Sequence, residues 1–178
     1  MGQSESAAEA LRGAVADYQR LVDETEDEPA LLEGLSGSRM DLANTLVQLG
    51  KDGDAFEAYQ KSVADFDLLL KFRPGVPDFQ ANLAISHTNL AQILYRYGSP
   101  HRAREECESG LRVLNDLIIL HAGIGRFREA HATNTVIFGL ILRDLNQDEL
   151  ALDALTGAAQ SFQQLADDLP SILDYKRR

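Results

Sequence analysis

The chain has 178 residues, of which 44% are hydrophobic and 25% charged, and its formal net charge is -11. That length suits one domain, and so acidic a balance disfavours nucleic acid, whose phosphates are held by basic patches. No apolar run approaches the ~20 residues of a bilayer-spanning helix, so no membrane embedding is expected.

From the start of the chain, Ala7, Leu11, Ala14, Tyr18 and Leu21 recur at helical spacing and predict a helix over about residues 4–24. The acidic run Asp23 to Glu28 reads as a solvated loop, and Pro29 suits the first turn of a second helix over 29–49. Its stripe is Leu31, Leu35, Ser38, Leu42, Leu46 and Leu49, steps of four and three that trace one helix face. After Gly50 a third helix, 53–73, carries Ala55, Tyr59, Ser62, Phe66 and Leu69, and Pro74 closes it.

The fourth helix, 77–97, repeats the second with Phe79, Leu83, Ser86, Leu90, Leu94 and Tyr97. The fifth, 100–121, repeats the third with Ala103, Cys107, Gly110, Leu114 and Leu117, ending near Gly123 and Gly125. A sixth, 126–145, has Phe127, His131, Asn134, Phe138, Leu142 and Leu145. The seventh, 148–168, has Ala151, Leu155, Ala158, Phe162 and Leu165, with Pro170 in the column of Pro74.

These columns recur every 48 residues, as the turn residues Gly50, Gly98 and Asn146 show. All three tolerate the left-handed conformation at a helix end. The expectation is an all-α solenoid occupying 1–178 as a single domain. It comprises a half-repeat at 4–24, repeats at about 29–73, 77–121 and 126–169, and a truncated further helix at 171–178. Both ends of such an array are open, which allows self-association there.

Catalytic signatures are missing: the sequence has no Gly-rich phosphate loop, HExxH, CxxC or GxSxG. Cys107 shares its column with Tyr59 and Leu155, so it reads as a buried hydrophobe in a reducing, cytoplasmic setting. His131 falls in the core column of Leu35 and Leu83, His87 beside Arg39 and Thr135, and His101 and His121 at helix ends. None has a ligand partner at metal spacing, so neither metal nor cofactor is expected, and the chain is not expected to be an enzyme.

Around each turn the residues resemble the tetratricopeptide repeat (TPR). They are Leu42, Ala43, Leu46, Gly50, Ala55, Tyr59 and Ser62, then Leu90, Ala91, Leu94, Gly98, Ala103, Cys107 and Gly110, then Phe138, Gly139, Leu142, Asn146, Ala151, Leu155 and Ala158. A TPR takes about 34 residues, so each helix here is longer by about seven, or two turns, which return the apolar stripe to nearly the same face. The segment Leu83 to Leu94 also looks similar to long-period repeats of bacterial multidomain signalling proteins such as serine/threonine kinases.

The resemblance implies a right-handed superhelix of antiparallel hairpins whose first helices line a concave groove for a protein or peptide. Carried over column by column, the groove candidates are Asn44, Gln48, Thr88, Gln92, Tyr95, Arg96 and Arg143. Asn44 and Asn89 match the two asparagines of the chaperone-tail clamp in TPR proteins, but its basic columns hold Met40, Thr133 and Ile137, so no such clamp is expected. The implied function is a noncatalytic interaction module. The alternative is a spacer or self-association module within a larger signalling protein.

Overall fold

The computed structural model describes residues 2–25 and 28–175. Seven helices and no strand occur among the described residues: α1 (Gly2–Glu24), α2 (Pro29–Gln48), α3 (Asp52–Phe72), α4 (Pro77–Arg96), α5 (Pro100–Leu120), α6 (Gly125–Asp144) and α7 (Asp148–Tyr175). Each packs on the next in the chain, and the short connections make the pairs antiparallel hairpins stacked as a helical solenoid.

The three hairpin turns share one chemistry. Gly50, Gly98 and Asn146 have φ of 70°, 71° and 58°, and the residue after each donates its amide five residues back: Lys51 to Leu46, Ser99 to Leu94, Gln147 to Leu142, at 2.8 to 2.9 Å. This is the bond pattern of a Schellman end, which needs a left-handed residue at the reversal. Just beyond each turn Ala55, Ala103 and Ala151 are buried, facing Ala43, Ala91 and Gly139, which are also buried. A Cβ on Gly139 would stand 2.7 Å from Leu155 Cγ, so these helices approach as closely as small residues permit.

The core is continuous along the array. Leu42, Leu46, Ala55, Tyr59, Leu90 and Ile93 form one cluster, and Leu35, Phe66, Leu69, Phe79 and Leu83 the next. Ala91, Leu94, Cys107, Ile137 and Ile141, then Ala84, Leu114, Leu117 and Phe127, carry it through the second half. A polar seam crosses it: Ser62 Oγ donates to Ser36 O and meets Ser86 Oγ, both at 3.4 Å.

The structure departs from the sequence expectation in several places: in α1 Ala8 is buried and the expected Ala7 exposed, and in α7 the expected Phe162 is exposed. In α2 the expected Leu35, Leu42 and Leu46 are buried, but at its start Leu32 and Ser36 are buried where Leu31 and Ser38 are expected, and those two are half-buried. The ring of Tyr18 lies against Gly34, where an added Cβ would approach within 2.4 Å, so α1 seats deeply there and sets the helix's rotation. Tyr97, expected on the core stripe, is 65% exposed because it lies beyond the end of α4, where the chain turns away. At the far end α7 runs through Pro170 to Tyr175 as one helix. A proline removes its own amide bond but keeps helical φ, so the backbone can continue past it. Of the segment expected at 171–178, residues 176–178 lie outside the described residues, as do 26 and 27 of the acidic run.

Candidate functional site

The first helices α2, α4 and α6 lie on one side of the array: α4 packs against α6, and α2 reaches α4 through side-chain bonds. Two polar ties span this row. In the first, the Tyr59 hydroxyl of α3 donates to Asn44 Oδ1 of α2. Asn89 Nδ2 of α4 donates to the Tyr59 oxygen at 2.9 Å and to Asn44 Oδ1 at 3.4 Å. Burial pushes the Tyr59 phenol up to about 12, so it stays neutral and acts as a donor. Asn44 Nδ2 and Asn89 Oδ1 make no other hydrogen bond among the described residues, and both side chains are half-buried at the surface of the row.

The second tie is charged. Tyr95 Oη of α4 donates to Asp144 Oδ2 of α6 at 2.6 Å, and Arg143 Nη2 donates to Asp144 Oδ1 at 3.1 Å. The Tyr95 bond, then the Arg143 bond, hold the Asp144 carboxyl below its ordinary value. The same bond to Asp144 raises the Tyr95 phenol. Arg96 Nη2 stands 3.0 Å from Asp52 Oδ1, an ion pair without hydrogen-bond alignment.

The sequence-derived candidates therefore separate. Gln48 and Gln92 are exposed on the row. Asn44 presents one edge of its amide, and Tyr95 is half-buried with its hydroxyl committed to α6. Arg96 and Arg143 are exposed, yet each already has an acidic neighbour. Thr88 is only 5% exposed; its hydroxyl donates to Ala84 O at 2.8 Å and accepts from Asn134 Nδ2 at 2.7 Å. It faces the seam between α4 and α6 and presents no surface. Between the same two helices, Asp78, Ala81, Asn82, Arg126, Phe127 and Ala130 help to line a shallow cleft of about 160 Å³, bridged by an Arg126–Asp78 ion pair.

Sequence reasoning missed the Arg39 centre. The Arg39 guanidinium bonds Asp65 of α3 and Gln19 of α1, joining three helices. Burial raises the Asp65 carboxyl against the opposing pull of the Arg39 bond. His131, His87 and Cys107 each have a partner or a buried setting within the fold. The His131 imidazole contacts Asn115 Oδ1 at 2.9 Å and is lowered by burial. His87 Nδ1 lies 2.7 Å from Glu106 Oε2, and the fully buried Cys107 thiol is pushed up to about 12 by burial and then by Glu106 and Glu108. No group of three potential metal ligands occurs among the described residues. No helix of the described residues is long and apolar enough to cross a membrane.

No family model matches the chain, and no curated protein matches it. Among solved structures the fold is similar to that of BtubC (BKLC) from P. vanneervenii, with a TM-score of 0.63 and 21% sequence identity. The match covers 92% of this chain and 58% of that one, so this chain spans little more than half the length of that protein. At that identity the likeness is one of fold.

Proposed function

We propose that the chain is a noncatalytic, TPR-like protein-interaction module that takes an extended segment of a partner protein along the row of first helices. The observation that carries this reading is the row's supply of uncommitted neutral hydrogen-bonding groups. Gln48, Gln92, Asn44 Nδ2 and Asn89 Oδ1 stand on adjacent helices, and amides of this kind suit the alternating donors and acceptors of a peptide backbone. Because Arg96 and Arg143 already stand beside acids, affinity on this reading rests on shape and neutral polar contacts rather than on a cation for a carboxylate. A protein partner in the cytoplasm, without nucleic acid or cofactor, is the setting this reading implies.

Affinity capture from the source cell tests it. The intact chain is compared with a variant carrying Gln48→Ala, Gln92→Ala and Tyr95→Ala, all outside the fully buried core. Loss of a reproducible partner is the expected result, with the chain still folded and its melting temperature lowered only by the lost Tyr95 contacts, as a Tyr95→Ala single variant measures. Retention of the same partners by the variant would refute the row as the binding surface.

A further inference from the structure

Between the end of α1, the start of α2 and the end of α3 lies a cavity of about 250 Å³, walled by Val22, Pro29, Leu32, Leu68 and Phe72 and edged by Thr25 and Glu28. Leu68 and Phe72 are 41% and 44% exposed, whereas Leu32 is buried. The repeat shows the same columns in two other settings. Steps of 48 residues from Leu32, Leu68 and Phe72 reach Gln80, Asp116 and Leu120, then Arg128, Gln164 and Asp168. In the last unit Arg128 Nη2 meets Asp168 Oδ2 at 2.7 Å, so an ion pair joins two columns that are both apolar in the first. Exposure here belongs to the repeat and not to the start of the chain, since Asp116, Leu120, Gln164 and Asp168 are exposed too. Polar side chains suit so wet a place. Two large apolar ones stay partly hydrated there, and a ligand that covers them gains burial the fold leaves unused.

The charges around the cavity differ from wall to wall. On the side of α1 and α2 stand Asp23, Glu24, Glu28 and Glu33, all exposed. Arg20 pairs with Glu24 and Arg73 with Glu33, but Asp23 accepts only from the neutral Gln19, and the Glu28 side chain has no partner among the described residues. The last turn of α1 holds no basic residue, so its carbonyl end adds to the negative side. The α3 wall is balanced, with Asp67 and Lys71 near Leu68 and Phe72 in the sequence. A helix about 10 Å across cannot enter a cavity of this size, whereas one anchoring side chain can.

We propose that this cavity is a docking site for a segment of another protein that inserts one large apolar side chain among Leu32, Leu68 and Phe72 and sets a lysine or arginine against Glu28 and Asp23. The cavity lies at the opposite end of α2 from Gln48, and the proposal does not rest on the reading of the first-helix row.

NMR titration of the isotope-labelled full chain with three synthetic octapeptides tests it. One has a single leucine followed by two lysines in a glycine-serine background; the second has alanine for the leucine, and the third glutamates for the lysines. The leucine-lysine peptide should shift the amides of Val22, Leu32, Leu68 and Phe72 and bind at least about fivefold tighter than either control. Its advantage over the glutamate peptide should shrink in high salt. Leu68→Gln and Phe72→Asp each install the residue that the last unit has in that column, at an exposed position, and each should weaken binding about fivefold or more with the chain still folded. Glu28→Gln should weaken it about threefold and remove much of the salt dependence. The Gln48, Gln92 and Tyr95 triple-alanine variant should bind the peptide like the parent chain, which separates failure here from failure of the row. Equal binding of the three peptides, no binding at millimolar concentration, or binding untouched by both Leu68→Gln and Phe72→Asp would overturn the proposal. So would a dimer in sedimentation that Phe72→Asp dissociates, since a second copy would then fill the cavity.

Discussion

The middle hairpin and the last hairpin are built on the same columns yet differ in how much of their packing is shared. In α5, Leu114 sits between its own first helix and the next, clustered with Ala84 on one side and Phe127 on the other, and it is fully buried. In α7 the equivalent Phe162 has α6 but no further helix against it among the described residues, and more than a third of it is exposed. In a one-dimensional array the same residue type is therefore worth different amounts at different places, because burial comes from the neighbouring unit as much as from its own.

The largest test of this contrast is side-chain truncation in one column. Leu114→Ala should cost about 2–5 kcal/mol in chemical denaturation, while Phe162→Ala, although a larger deletion, should cost less than half as much as Leu114→Ala. Equal losses would mean that the end unit is as tightly held as the middle.

Two glycines sharpen the comparison at smaller scale. A Cβ on Gly110 would stand 2.4 Å from Asn134 Nδ2 and 3.1 Å from the Ala84 carbonyl, and Asn134 is itself fully buried. Gly110→Ala should therefore cost about 1–3 kcal/mol by overpacking. A Cβ on Gly139 would stand 2.7 Å from Leu155 Cγ, so the half-buried Leu155 must shift to admit it. Gly139→Ala should therefore also destabilise, but less than Gly110→Ala, since the neighbour that moves is a partly exposed side chain and alanine has the better helix propensity.

The polar ties of the first-helix row provide a third contrast. Tyr59→Phe removes the donor to Asn44 inside the fold and should cost about 1–2 kcal/mol, with little dependence on salt. Tyr95→Phe removes an exposed bond to a charged carboxylate, so its effect should be smaller and should fade as salt rises. It should also flatten the acid limb of the stability profile. Asp144 is held below its ordinary value, so the stabilisation it provides is present at neutral pH and lost as pH falls through its folded value.

The smallest expected effect is at His131. Burial lowers its folded value below the ordinary 6.5, so the folded chain binds this proton less readily than the unfolded chain. Stability contributed at neutral pH is then lost as pH drops below about 6.5. His131→Gln should remove that part of the slope in melting temperatures measured from neutral to mildly acidic pH.

Much of this was legible in the sequence, because a column argument sees what every unit must do. Gly50, Gly98 and Asn146 each mark a left-handed reversal, and Ala55, Ala103 and Ala151 each mark a close crossing. The same argument is blind to contacts made by a single unit. Thr88 shares a column with Met40 and Val136 and reads as outward-facing, but α6 packs over that side of α4 and Asn134 captures its hydroxyl. Arg39 has aligned residues His87 and Thr135 that cannot repeat its chemistry, and its partners lie 20 and 26 residues away on two other helices. Arg96 looked available because the sequence does not reveal how packing brings Asp52 of α3 to it, whereas the partner of Arg143 is its own chain neighbour, Asp144.

The single thiol gives this fold an internal clock. Cys107 has no exposed surface, and burial keeps it protonated far above neutral pH, so a thiol reagent can reach it only when the middle of the array opens. Its labelling rate in the native protein would time that opening without any engineered probe.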